Sequence, residues 1–116
     1  MSEYKARFYR DERGISEALD YYRAMPTKHR AKAAKWIKLL ESEGPNLPRP
    51  YADIVSSPVR ELRPKMAGLQ HRFLYVIHGK TILLTGGLLK KSDQVPPVEI
   101  EKSKRRYADW LIRGSR

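Results

Sequence analysis

Tyr4, Ala6 and Phe8 alternate with Lys5 and Arg7, and this period of two predicts a short N-terminal strand between Tyr4 and Tyr9. From Gly14 the spacing becomes helical, with Ile15, Ala18, Leu19 and Tyr22 on one face. Pro26 ends that helix. Thr27 is expected to cap a second one, in which Ala33, Trp36, Ile37 and Leu40 repeat the core spacing until Gly44-Pro45 stops it. The two helices are read as a hairpin on one face of a sheet, with their apolar stripes, Trp36 included, as core. The next stretch, PNLPRPYADIVSSP at residues 45–58, holds four prolines and reads as an irregular connector rather than a domain boundary.

Three strands are expected after it. Val59 to Lys65 is short and charged, Arg72 to His78 is β-branched and aromatic, and Thr81 to Leu89 is strongly apolar. His78-Gly79-Lys80 marks a tight hairpin turn between the last two, and Met66 to Gln70, with Gly68, a looser turn before them. Pro96-Pro97 begins a final helix with Ile100, Tyr107 and Leu111 as its buried stripe. Its acids, Glu99 and Glu101, precede its bases, Lys104, Arg105 and Arg106, in the order a helix dipole favours. The predicted fold class is α+β. One domain spans residues 1–116, with a mainly antiparallel four-stranded sheet, an N-terminal helical hairpin and a C-terminal helix.

Composition narrows the class of partner. The formal charge is +11 and the isoelectric point about 10.1, an imbalance that favours polyanions. It is uneven: residues 58–116 carry 13 Lys/Arg against 5 Asp/Glu, whereas residues 1–57 carry 11 against 8. The C-terminal half is therefore the expected phosphate-facing half. The absence of cysteine removes disulfides, thiolate nucleophiles and cysteine-based zinc sites together. MSEYKARFYRDERG has no apolar core, so it is no signal peptide, and no apolar run nears the roughly 18 residues that span a bilayer. A soluble, cytoplasmic protein is expected.

Strand alternation places Glu61, Arg63 and Lys65 on one face, and Arg72 with Leu74 and Val76 on one face of the next strand. Arg63 and Arg72 can then share a concave patch that Lys90 and Lys91, at the end of the third strand, close from the side. Arginine offers two phosphate oxygens a planar fork, and lysine adds a mobile point charge. Such a set also suits a pentacovalent transition state, whose equatorial oxygens gain charge. The plainer reading is a structural ion pair of Arg63 with Glu61 or another acid, and a solvated Lys90-Lys91 strand end. Metal catalysis is not expected: carboxylates are sparse in the basic half, and His29, His71 and His78 lack ligand spacing. His71, beside Arg72, has the ordinary pKa of a general base but, next to a turn, is more simply read as exposed. Gly86-Gly87, inside a strand run, reads as a bulge or a close backbone approach rather than a phosphate loop.

The ordered set of ELR at Glu61 to Arg63, HRFLY at His71 to Tyr75, GLLKKSDQVPP at Gly87 to Pro97 and EIEKSKRR at Glu99 to Arg106, with Pro50-Tyr51 and Gly79-Lys80, resembles the RelE-like toxins of type II toxin–antitoxin systems. It is most similar to their HigB-type, phage-derived branch. The resemblance implies a metal-independent mRNA endonuclease, needing no cofactor, that cuts codons in the ribosomal A site and is neutralised by a cognate antitoxin, expected to be of helix-turn-helix type. It implies catalytic roles for Arg63, Arg72, Lys90 and Lys91, with Glu61, Lys65, His71 and Lys104 as substrate-contacting neighbours. Glu61 is then an orienting partner rather than a base. The chain departs from the family where His71 replaces an aromatic residue, Gly86 a histidine and Leu88 an aromatic, and where Tyr107 lies later on the helix than the expected tyrosine. These departures leave the proton-transfer group unassigned. A non-catalytic RNA or ribosome binder on the same fold, and a phage-encoded interaction protein, are the competing classes.

Overall fold

In the computed structural model, which describes residues 3–66 and 68–114, the polypeptide forms six strands and three helices. Strand β1 spans Lys5–Phe8. Helix α1 spans Glu17–Ala24 and starts later than the spacing predicts. Gly14 (φ +81°) turns the chain, the Asp11 carboxylate accepts hydrogen bonds from the amides of Arg13 and Ile15, and the Ser16 hydroxyl caps the amide of Leu19. Ile15 is thereby left outside the helix and exposed. Helix α2 spans Thr27–Glu43, with Pro26 rather than Thr27 at the cap position.

The expected irregular connector contains a strand: β2 spans Ala52–Ser56 and pairs antiparallel with β3, Val59–Leu62. β2 is an edge strand, so only one side of its ladder needs donors, and the prolines flank it without interrupting it. β3 stops short of Lys65 because Pro64 has no amide to donate. Lys65–Met66 then forms β4, which pairs with the start of β5, Leu69–His78. Ala67, in the expected looser turn, lies outside the described residues. β6 spans Thr81–Leu89 and completes the hairpin with β5, as the Gly79 turn predicts. The strand order is β1-β6-β5-β3-β2, with β4 beside β5. All pairs are antiparallel except β1 with β6, which is parallel. The sheet is thus mixed and six-stranded, not four-stranded. Parallel partners are joined by long crossovers that leave no local signal.

β5 and β6 are buried on both faces, which is why FLYV and ILL run on without alternation. One core joins Phe73, Tyr75, Ile82 and Leu84 to α1 and α2. The other joins Leu74, Val76 and Leu83 to α3, Pro97–Ile112. The register between β5 and β6 shifts beside Leu74, a bulge that leaves Thr85 between the residues opposite Leu74 and Tyr75. Its hydroxyl reaches the Leu74 carbonyl at 3.1 Å and Ser103 Oγ at 2.8 Å. Gly87 is a close approach, since a Cβ there would lie 2.8 Å from Tyr21 Cβ. The α3 stripe differs from expectation. Ser103 and Trp110 are buried, Ile100 and Tyr107 flank them, and Leu111 is 41% exposed. Small Ser103 turns toward the sheet because its hydroxyl meets Thr85.

Candidate nucleic-acid interface

Arg63 follows β3 and Arg72 lies on β5, and together they line one open cavity of about 430 Å³. Lys65 and Gln70, on the β4–β5 hairpin, form another part of its wall. Lys32 and Trp36, one helical turn apart on α2, and Tyr51, before β2, complete it. The sheet brings the cations together because β3, β4 and β5 are neighbours, and α2 crosses the same end. The Arg63 amide donates to the Tyr51 carbonyl at 2.8 Å, so cation and aromatic ring are held by one backbone bond.

Arg72 is only 4% exposed. Its Nε lies 3.1 Å from Oε1 of Glu61, itself 8% exposed, while Nη1 donates to the His71 carbonyl at 2.9 Å and Nη2 to Gln70 Oε1 at 3.0 Å. The Nε and Oε1 atoms are near enough to attract strongly, yet the N–H is not aimed at the oxygen, and neither atom has another hydrogen-bond partner. Burial pushes the Arg72 pKa down, Glu61 opposes that shift, and the like charge of Arg63 adds to it. The closeness of Arg63 is therefore felt electrostatically as well as sterically.

The side chains of the other expected cations do not line this cavity. Lys90 lines a separate hollow of about 330 Å³ with Glu61, Asp93 and Gln94, and its ammonium donates to the Asp93 carbonyl at 3.2 Å. Lys91 is exposed and Lys104 half-buried, and neither lines the Arg63–Arg72 cavity. The end of β6 does stand beside that cavity, the Lys90 amide donating to the carbonyl of its lining residue Gln70 at 2.8 Å, but the Lys90 ammonium turns to the other hollow. Within the basic helix, Arg106 ties α3 to the rest of the fold, donating to the Thr85 carbonyl at 2.7 Å and pairing with Glu17 at 2.6 Å.

His71 is buried rather than exposed. Its Nδ1 lies 2.5 Å from the Tyr21 hydroxyl and its Nε2 lies 3.0 Å from Nδ1 of His29. Burial, then His29 and Arg72, lower the His71 pKa, so the neutral ring donates at one nitrogen and accepts at the other. Sequence reading treated the histidines as scattered, but the fold joins two of them across 42 residues. Among the described residues, no group of three histidine or carboxylate side chains is placed to hold a metal ion.

Lys32, Trp36 and Tyr51 were missed as site residues. Trp36 packs against the core as expected, but it also faces the cavity, with the Lys32 ammonium 5.4 Å above its ring. The available signal was that Lys32 and Trp36 stand four residues apart on one helix face, with a cation where a core stripe has none.

A family described as phage derived protein Gp49-like (DUF891) matches residues 20–108. The chain belongs to that Gp49-like family. It is a RelE/toxin-like family, and the matched segment contains every residue named above as lining the Arg63–Arg72 cavity. No curated protein matches this Gp49-like chain. Among its described residues no helix is long and apolar enough to cross a membrane.

Proposed function

We propose that this Gp49-like protein is the toxin of a type II toxin–antitoxin pair, related to the HigB-type branch, and that it cleaves mRNA on the ribosome without a metal. The observation that carries the reading is the gathering of Arg63, Lys65, Lys32 and Arg72 around one cavity in a chain of charge +11. Cleavage by the substrate's own 2′-hydroxyl needs little covalent chemistry from the protein. An O2′–P bond forms as the P–O5′ bond breaks; the 2′-hydroxyl gives its proton to solvent water and the departing O5′ takes one from it, leaving a 2′,3′-cyclic phosphate and a 5′-hydroxyl. Charge builds on the equatorial phosphate oxygens, where Arg63 and the lysines stabilise it. Arg72, held by Glu61, supplies a fixed positive charge behind them. The antitoxin, expected to present an acidic or amphipathic segment, competes for the same charge.

A second reading, a non-catalytic RNA or ribosome binder, is favoured by one feature. The described lining residues include no carboxylate and no histidine to take the 2′-hydroxyl proton. Expression in cells separates the two. Wild-type protein is expected to arrest growth and to cut mRNA in the ribosomal A site. Arg63→Ala, at a partly exposed position just after β3, is expected to lower the cleavage rate by about 10²–10³-fold, the usual effect of one lost transition-state donor. Intact mRNA on translating ribosomes with wild-type protein excludes the enzyme, and ribosome binding without cleavage selects the second reading.

A further inference from the structure

The Arg63–Arg72 cavity has surfaces that a bare phosphate site does not need. Trp36 and Tyr51 line it as neighbours, with ring centroids 5.6 Å apart and 50° between their planes. Tyr51 is 37% exposed although it is a large aromatic residue, and exposed Leu69 lies in the same wall. Tyr51 is fixed by its amide's bond to the Pro48 carbonyl as well as by the bond from Arg63. A rigid aromatic wall joined to a ring of cations is the combination that single-stranded nucleic-acid sites use, with stacking for the base and charge for the backbone.

We propose that the cavity takes one unpaired nucleotide of single-stranded RNA, its base stacked on the Trp36 indole with Tyr51 packed at its edge and its phosphate on Arg63 and Lys65. This rests on the RNA reading above and adds the form of RNA required. A base inside a duplex is stacked on both faces and has none to offer a side chain, whereas a splayed base does. The volume of about 430 Å³ lies within the roughly 300–1,000 Å³ of small-ligand pockets, room for a nucleotide and not for a helix. The Lys32 ammonium above the indole marks the face that the base takes. In the complex the base replaces the ammonium there, and Lys32 turns to the phosphate. Gln70 limits the choice of base. Its Oε1 is taken by Arg72, so its amide nitrogen is what remains for a ligand, and the base edge it meets must present an acceptor.

The test uses a short single-stranded oligoribonucleotide carrying 2′-O-methyl groups, which binds but cannot be cleaved. It is compared with its duplex, an abasic sugar–phosphate oligomer of equal length and an acidic peptide. Tryptophan emission reports Trp36 directly, since Trp110 is buried on the α3 side of the sheet. The single strand is expected to bind tightest and to quench emission. Trp36→Phe should abolish the quenching while keeping a stacking ring. Tyr51→Ala should weaken binding about tenfold or more with an unchanged salt dependence. Equal binding of the duplex, abasic oligomer or acidic peptide overturns the proposal, as does an unaltered affinity in Tyr51→Ala. Stacking without cleavage of natural mRNA removes the nuclease and leaves the proposal. Cleavage with wild-type affinity in Tyr51→Ala removes the proposal and leaves the nuclease.

Discussion

Replacing Arg72 with alanine is expected to unsettle the fold before it informs on catalysis. The substitution strands Glu61, 8% exposed, and removes the donors to the His71 carbonyl and Gln70 Oε1. At the 3.1 Å separation of Nε and Oε1, Coulomb's law with an effective dielectric near 20 gives a gross attraction of about 5 kcal/mol. Much of that offsets desolvation, but breaking one side of a buried pair leaves the desolvation behind, and the net loss is about 3–5 kcal/mol. A domain of this size has about 5–15 kcal/mol in total. Urea unfolding at pH 7 measures it, with an expected midpoint shift of at least about 1 M for slopes of about 1–3 kcal/mol/M. Glu61→Leu alone should cost a similar amount. The double variant Arg72→Met, Glu61→Leu should lose far less than the two single losses together, because two apolar side chains then meet. A loss below about 1 kcal/mol in Arg72→Ala, or additive losses in the double variant, would refute the buried-pair account. For the same reason, relief of toxicity by Arg72→Ala means nothing unless folding is checked beside it, and Arg63→Ala is the cleaner functional probe.

Two further outcomes test the packing and the buried histidine. Gly87→Ala should cost about 1–3 kcal/mol in thermal or urea unfolding, because its Cβ would lie 2.8 Å from Tyr21, whereas Gly86→Ala, with nothing nearer than 3.6 Å, should be tolerated. Equal effects at the two positions would contradict the close approach at Gly87. His71 is held below its ordinary pKa in the folded chain by burial, His29 and Arg72, so below about 6.5 the unfolded chain binds more protons than the folded one. Its contribution is therefore present above pH 6.5 and is lost as pH falls from there through the lower pKa of the folded chain. Asp11, Asp53 and Asp109 are also depressed, but their contributions fade in the carboxylate range below 4. Urea midpoints from pH 7.5 to 5 should fall in the wild type and flatten in His71→Gln, and identical slopes would reject the assignment.

How far the site could be read in advance depended on where each residue's constraint lies. Arg63 and Arg72 were legible because both sit at or beside strands whose apolar patterns are strong, and neighbouring strands bring their ends together. Lys90 and Lys91 end β6 beside Gln70, but strand period does not say where a lysine ammonium settles, and that of Lys90 turns to the Asp93 carbonyl. Trp36 was assigned to the core from helical spacing, which is half of its environment; Tyr51, half a sheet away in sequence, makes the other half. His29 and His71 gave no signal of their contact, since a contact between α2 and β5 depends on how the helix crosses the sheet. β2 was hidden among prolines that bound it without entering it.

Local physical chemistry, written in residue order, determined the order of β3, β5, β6 and the last helix, the Pro97 start of that helix, the β5–β6 hairpin and the concentration of positive charge. Those properties depend on neighbours a few residues apart. The parallel edge of β1 on β6, the burial of Arg72 against Glu61, the departure of Lys90 to another hollow and the union of cations with Trp36 and Tyr51 were decided by tertiary structure alone. Each needs segments tens of residues apart to meet at a set distance and angle, and only the packing of both helical layers on one twisted sheet supplies that.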